Sequence, residues 1–140
     1  MPYPEEMIAP MRAEVTQLGV TELRSGADVD AAMAQTEGTS LYFVNSVCGC
    51  AAGSARPGLA ASLQGDGPRP NHLYTAFAGN DTGAVASLRE QLVGIPPSSP
   101  CVALFKDGAL ISMIERHHIQ AMDGAGLGEA LKSAYAQHCG

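Results

Sequence analysis

The chain has 140 residues, 46% of them hydrophobic, and a formal charge of -6. That length suits a single domain over residues 1–140 with a real core and no need of disulfide staples. The acidic balance argues against nucleic acid or an anionic membrane as partner, since both call for a basic surface that displaces counterions. Glu5 and Glu6 stand where a secretory signal would carry Lys or Arg, and no apolar run approaches the roughly 20 residues that cross a bilayer, so a soluble, cytoplasmic protein is expected.

Met7, Ile8, Met11, Val15 and Leu18 recur at three- and four-residue steps before Gly19, which predicts an amphipathic helix over 4–18. A short extended piece over 20–23 follows. Val29, Ala32 and Met33 share one face of a second helix over 28–36, with Ser25 or Asp28 to cap it and Gly38 to end it. Residues 40–46, SLYFVNS, make an apolar run with almost no alternation, the pattern of a central strand buried on both faces. Residues 51–64 are rich in Ala and Leu and predict a helix that Gly53 and the Pro57-Gly58 pair kink or divide.

After a break at 65–70, residues 72–77 predict a strand. A helix starting at Asp81 or Thr82 carries Val85, Leu88, Leu92 and Val93 and stops at Gly94. Pro96, Pro97 and Pro100 bar regular structure up to the next strand. Residues 101–106 and 109–115 flank Asp107-Gly108, a strong hairpin signal, and Leu127, Ala130, Leu131 and Tyr135 mark a last helix over 126–137. Helices between the early strands imply parallel pairing with right-handed crossovers. The expected fold is an α/β three-layer sandwich with a mixed central sheet, a terminal β-hairpin and an added N-terminal helix, an order that resembles the thioredoxin-like one.

Four cysteines, at 48, 50, 101 and 139, are too few for a disulfide framework in a chain of this size. Cys48-Gly49-Cys50 falls where the buried strand hands over to a helix. Unsatisfied N–H groups and the helix dipole favour a thiolate there, so Cys48 is expected to be exposed and nucleophilic with a depressed pKa. Cys50 can attack a mixed disulfide on Cys48 at high effective concentration, and Gly49 supplies backbone freedom for so small a ring. A bridge between residues two apart is strained and therefore oxidising, which points to an oxidant or isomerase rather than a strong reductant.

Three other readings stand beside this one. The cysteines could be small core residues. They could hold a metal together with Cys101, Cys139 or one of His72, His117, His118 and His138, although only one thiol pair exists. Or the chain could be a non-catalytic binding module. Arg116, His117 and His118 close the last predicted strand, where alternation sends the two histidines to opposite faces and favours a structural role.

The segments NSVCGCAAGSARPG at 45–58, SSPCVALFKDG at 98–108 and IERHHIQ at 114–120 resemble the bacilliredoxins, thioredoxin-like proteins with a Cys-Gly-Cys motif. The resemblance runs from the PYPEEMIAPMR opening to the C-terminal cysteine. It implies a thiol-disulfide oxidoreductase that removes bacillithiol, or another low-molecular-weight thiol, from mixed disulfides on client proteins, with disulfide-isomerase activity besides. It implies no cofactor and no metal. By position Cys48 takes the small thiol, Cys50 matches the second motif cysteine, and Pro100 after Ser99 occupies the place of a cis-proline whose neighbouring backbone binds an extended substrate.

Two departures from the thioredoxin pattern bear on mechanism. The chain has no Trp, and its central strand offers Tyr42, Asn45 and Ser46 rather than a buried acid, so no carboxylate is at hand for proton transfer. Cys101 stands where Ser is more usual in the family and is either an auxiliary resolving thiol or a buried strand cysteine. Cys139, near the C-terminus, is either a site for mixed disulfides or a simple exposed thiol.

Overall fold

The computed structural model describes residues 2–139. Helix α1 spans Glu5–Thr16, strand β1 Thr21–Glu22, helix α2 Gly26–Met33 and strand β2 Thr39–Asn45. A π-helical turn over Ala51–Ala55 runs directly into helix α3, Arg56–Ser62. Then come β3 (His72–Phe77), α4 (Thr82–Gln91), β4 (Cys101–Lys106), β5 (Ala109–Ile114), α5 (Arg116–Gln120) and α6 (Gly124–His138).

The five strands lie in the order β1-β3-β2-β4-β5. β3 runs parallel to both β1 and β2, while β4 runs antiparallel to β2 and to β5. The β4–β5 hairpin closes through Asp107 and Gly108, both at positive φ, as a two-residue primed turn demands.

All seven residues of β2 are buried, which explains its unalternated sequence. Leu41 and Phe43 join Val102 and Leu104 against the π turn, α3, α5 and α6, whereas Tyr42 and Val44 join Ala103 and Phe105 against α2 and α4. The result is the expected three-layer sandwich with a mixed sheet and a terminal hairpin.

Several local expectations give way to packing. The buried stripe of α1 is Ile8, Arg12 and Val15, and Met7 is 45% exposed. Arg12 is admitted because its guanidinium meets Asp81 at 2.8 and 2.9 Å, together with Glu22 and Glu5, and lies over the Phe77 ring. Val93 is 86% exposed, because α4 has already ended at Gln91.

The expected irregularity in this helix is a π turn that ends just ahead of Pro57, where the missing N–H and the ring act on the Gly53 carbonyl. Arg116, His117 and His118, expected to close the last strand, instead open α5, which runs on to Gln120. Glu115 and His118 cap it reciprocally, and Ile119 is driven into the core.

Candidate active site

β2 ends at Asn45, and the chain turns through Ser46 and Val47 before helical backbone begins at Gly49. The Cys48 carbonyl accepts the first helical N–H groups, from Ala51 at 3.1 Å and Ala52 at 3.3 Å, so Cys48 sits at the helix cap. At that position Sγ faces the backbone N–H groups of Cys50 and Ala51 much as the oxygen of a capping Ser would.

The two motif sulfurs are 2.8 Å apart, both thiols are free, and both residues are half-buried. Burial alone would raise the Cys48 pKa, but the Cys50 thiol, the Ser46 side chain and the backbone N–H groups of Ala51 and Cys50 outweigh it and hold the thiol below its ordinary value. Cys50 moves the other way, pushed up first by burial and then by the neighbouring Cys48 sulfur. The two shifts oppose each other, so Cys48 is the readier of the pair to give up its proton and Cys50 the slower.

A buried cation fixes this turn. Arg56 in α3, 5% exposed, donates through Nη1 to the Ser46 carbonyl at 2.8 Å and to Asn45 Oδ1 at 3.0 Å, and through Nε to Glu14 of α1 at 2.6 Å. Asn45 Oδ1 also accepts the Ser46 N–H at 2.9 Å, and Ser46 Oγ accepts the Cys48 N–H at 3.0 Å. Glu14, Arg56, Asn45 and Ser46 thus make a continuous chain of hydrogen bonds to the Cys48 backbone. The charged group buried behind this turn is a guanidinium, and its partner Glu14 is half exposed.

Cys48 opens onto a cleft of about 240 Å³ that Tyr3, Gly79, Ser99 and Arg116 also line. The Ser99–Pro100 peptide is cis, Pro100 is buried and Ser99 is half-buried. Arg116 Nη1 donates to the Ser99 carbonyl at 3.4 Å, and no carboxylate pairs with Arg116 among the described residues. A wider hollow of about 440 Å³ near Gln35, Glu37 and Asn71 contains no cysteine.

Cys101 does not join the motif pair. Its side chain lies in the layer of α2 and α4, whereas Cys48 and Cys50 pack on the opposite face of the sheet, because alternation along β4 turns residue 101 away from residue 102. Burial pushes its thiol up to about 11. Cys139 caps α6, where its N–H meets the Tyr135 carbonyl at 2.7 Å, and it lies outside the cleft lining.

Among the described residues the one group of side chains spaced to hold a metal is Glu115, His117 and His118, which includes no cysteine. His118 Nδ1 already accepts the Glu115 N–H at 3.0 Å. A metal site built on Cys48 and Cys50 therefore lacks further ligands. The two histidines, expected on opposite faces of a strand, are exposed neighbours on α5 with ring centroids 4.0 Å apart.

Sequence reasoning gave no role to Arg56, Arg116 or Tyr3. The signal for Arg56 was a lone cation inside the Ala-rich run after the motif. Tyr3 and Arg116 reach the cleft from opposite ends of the chain, so no local pattern could pair them.

The family model described as "Disulphide isomerase" matches residues 3–139. A bacilliredoxin of Salinibacter ruber is 48% identical, with 100% of this chain and 83% of that protein covered. A bacilliredoxin of Cytophaga hutchinsonii is 48% identical over 95% of this chain and 97% of its own, and one of Geobacillus kaustophilus is 42% identical over 99% and 95%. Among solved structures, mitochondrial thioredoxin 3 of Saccharomyces cerevisiae in its oxidised form superposes with a TM-score of 0.55 at 18% identity, covering 85% of this chain and 95% of that one. Thioredoxin O2 of Arabidopsis thaliana gives 0.52 at 16%, covering 85% and 96%. The fold is thus the thioredoxin fold.

Proposed function

The chain belongs to the bacilliredoxin family, and from that premise we propose that it is a thiol-disulfide oxidoreductase that strips bacillithiol, or a related low-molecular-weight thiol, from mixed disulfides on client proteins. The observation that carries this reading is the 2.8 Å approach of the Cys48 and Cys50 sulfurs at the head of a helix, with the lower pKa on Cys48.

The Cys48 thiolate attacks the small-thiol sulfur of the mixed disulfide. The client leaves as a thiolate and takes up a proton, and the small thiol is now bonded to Cys48. With Cys48 in a disulfide its negative charge is gone, so two of the three influences that raise the Cys50 pKa disappear with it. Cys50 then ionises and attacks Cys48, which releases the small thiol and leaves a Cys48–Cys50 disulfide. A two-electron thiol reductant returns the pair to dithiol.

Attack on the client sulfur instead would give a client–Cys48 disulfide, the intermediate of an isomerase. An extended client segment would lie along Ser99 and Pro100. No helix among the described residues is long and apolar enough to cross a membrane. A reducing cytoplasm is the compartment in which free thiols of this kind persist.

The test is release of bacillithiol from a loaded client, followed by mass spectrometry. Cys48→Ser should abolish release, and Cys50→Ser should accumulate a Cys48 adduct whose mass identifies the small thiol. Full release by Cys48→Ser would overturn the reading. Undiminished turnover by Cys50→Ser would replace Cys50 with an external resolving thiol.

A further inference from the structure

Tyr3 and Arg116 line the cleft onto which Cys48 opens, and each is held by specific contacts. The Tyr3 N–H donates to Asn80 Oδ1 at 2.9 Å, and Asn80 Nδ2 donates back to the Tyr3 carbonyl at 2.8 Å. The ring then lies over Gly79, where a Cβ would come within 3.0 Å of Tyr3 Cε2 and where φ is +92°. That backbone conformation favours glycine, and an added Cβ would also push on the ring.

On the other side Arg116 is exposed and held by a long bond to a carbonyl, with no carboxylate partner among the described residues. Arg12, Arg24 and Arg56 sit in ion pairs, whereas Arg69 and Arg89 share with Arg116 the lack of one among the described residues, and neither of them lines this cleft. A guanidinium without a carboxylate partner in the cleft onto which Cys48 opens, on a chain of formal charge -6, is a local attraction for anions against a repelling background.

We propose that Tyr3 and Arg116 form the recognition subsite for the small-thiol half of the mixed disulfide and that it selects thiols bearing carboxylates. The Arg116 fork pairs with the carboxylate, and the Tyr3 ring supports the body of the small molecule, so that the disulfide sulfur is presented to Cys48. This rests on the dethiolation reading above and adds to it the property by which the small thiol is chosen.

The experiment uses the full chain and one carrier protein with a single cysteine, loaded as a mixed disulfide with mercaptosuccinate, 2-mercaptoethanol or cysteamine. The readout is the ratio of second-order release rates for mercaptosuccinate over cysteamine. The wild-type ratio should be about tenfold and shrink as salt is raised. Arg116→Gln should bring it close to one, and Arg116→Lys should keep part of it. Arg69→Gln, which alters net charge equally at a distance from the cleft, should leave it intact.

An unchanged ratio in Arg116→Gln overturns the subsite. Equal slowing of all three adducts also overturns it, because Arg116 would then be acting on the cysteine pair. If the wild-type protein releases none of the three, the dethiolation reading falls first and the subsite with it.

Discussion

Arg56 Nη1 donates to the Ser46 carbonyl at 2.8 Å, so a side chain from α3 holds the turn that carries Cys48. The Cys48 thiol is therefore positioned from two directions, by the chain leaving β2 and by the helix it caps.

Arg56→Met keeps most of the apolar stem but leaves the Ser46 carbonyl without its donor. A buried acceptor losing a charged partner costs about 2 to 3 kcal/mol, to be read as a fall in the urea midpoint. The Cys48 alkylation midpoint should also rise, because the Ser46 side chain that helps stabilise the thiolate is no longer fixed. Glu14→Gln should cost under about 1 kcal/mol, since Glu14 is half exposed.

Cys101 sets a pH dependence of its own. Burial holds its proton up to about 11, whereas an unfolded chain gives a thiol proton up near 9.0. Between those values the folded state binds more protons than the unfolded one, so stability present at neutral pH is lost as pH rises from 9 to 11. The loss is on the order of 2 kcal/mol from this group. Tyr42 and Tyr135, both pushed up to about 12 by burial, extend it further into alkali. Cys101→Ala should flatten the first part of that decline in denaturant melts taken at successive pH values.

Two glycines should respond in opposite ways to the same change. A Cβ on Gly128 would lie 2.9 Å from Ala61 Cβ, where α6 crosses α3, so Gly128→Ala should destabilise by roughly 1 to 3 kcal/mol through overpacking. A Cβ on Gly49 meets nothing within 4 Å, and its backbone is already helical. Gly49→Ala should leave the reduced protein as stable as before or up to about 0.5 kcal/mol more stable. Thermal melts of the two reduced variants separate these outcomes.

The layers and the motif's setting were legible because they rest on local patterns. The unalternated run at 40–46, the Asp107-Gly108 turn and the apolar spacing of the helices each specify an element without reference to the rest of the chain. The position of the cysteines after a buried strand was legible for the same reason. What escaped depends on distant partners. The burial of Arg12 has no local signal, because its partner Asp81 stands 69 residues away. Arg116, His117 and His118 read as the close of a strand until Ile119 finds the core. The separation of Cys101 from Cys48 depends on which face of the sheet the Cys101 side chain takes, and proximity to Pro100 could not reveal that.

The thiolate character of Cys48, supported by Cys50, is tested most directly by alkylating the reduced protein with iodoacetamide across a pH series and mapping the modified cysteines. The expected result is that Cys48 reacts first, with a midpoint below the ordinary thiol range, ahead of Cys50, Cys101 and Cys139. That midpoint should move to higher pH in Cys50→Ala, which removes a hydrogen-bond donor to the thiolate. Labelling of Cys48 no faster than the other three, or a midpoint that stays put in Cys50→Ala, would contradict the account.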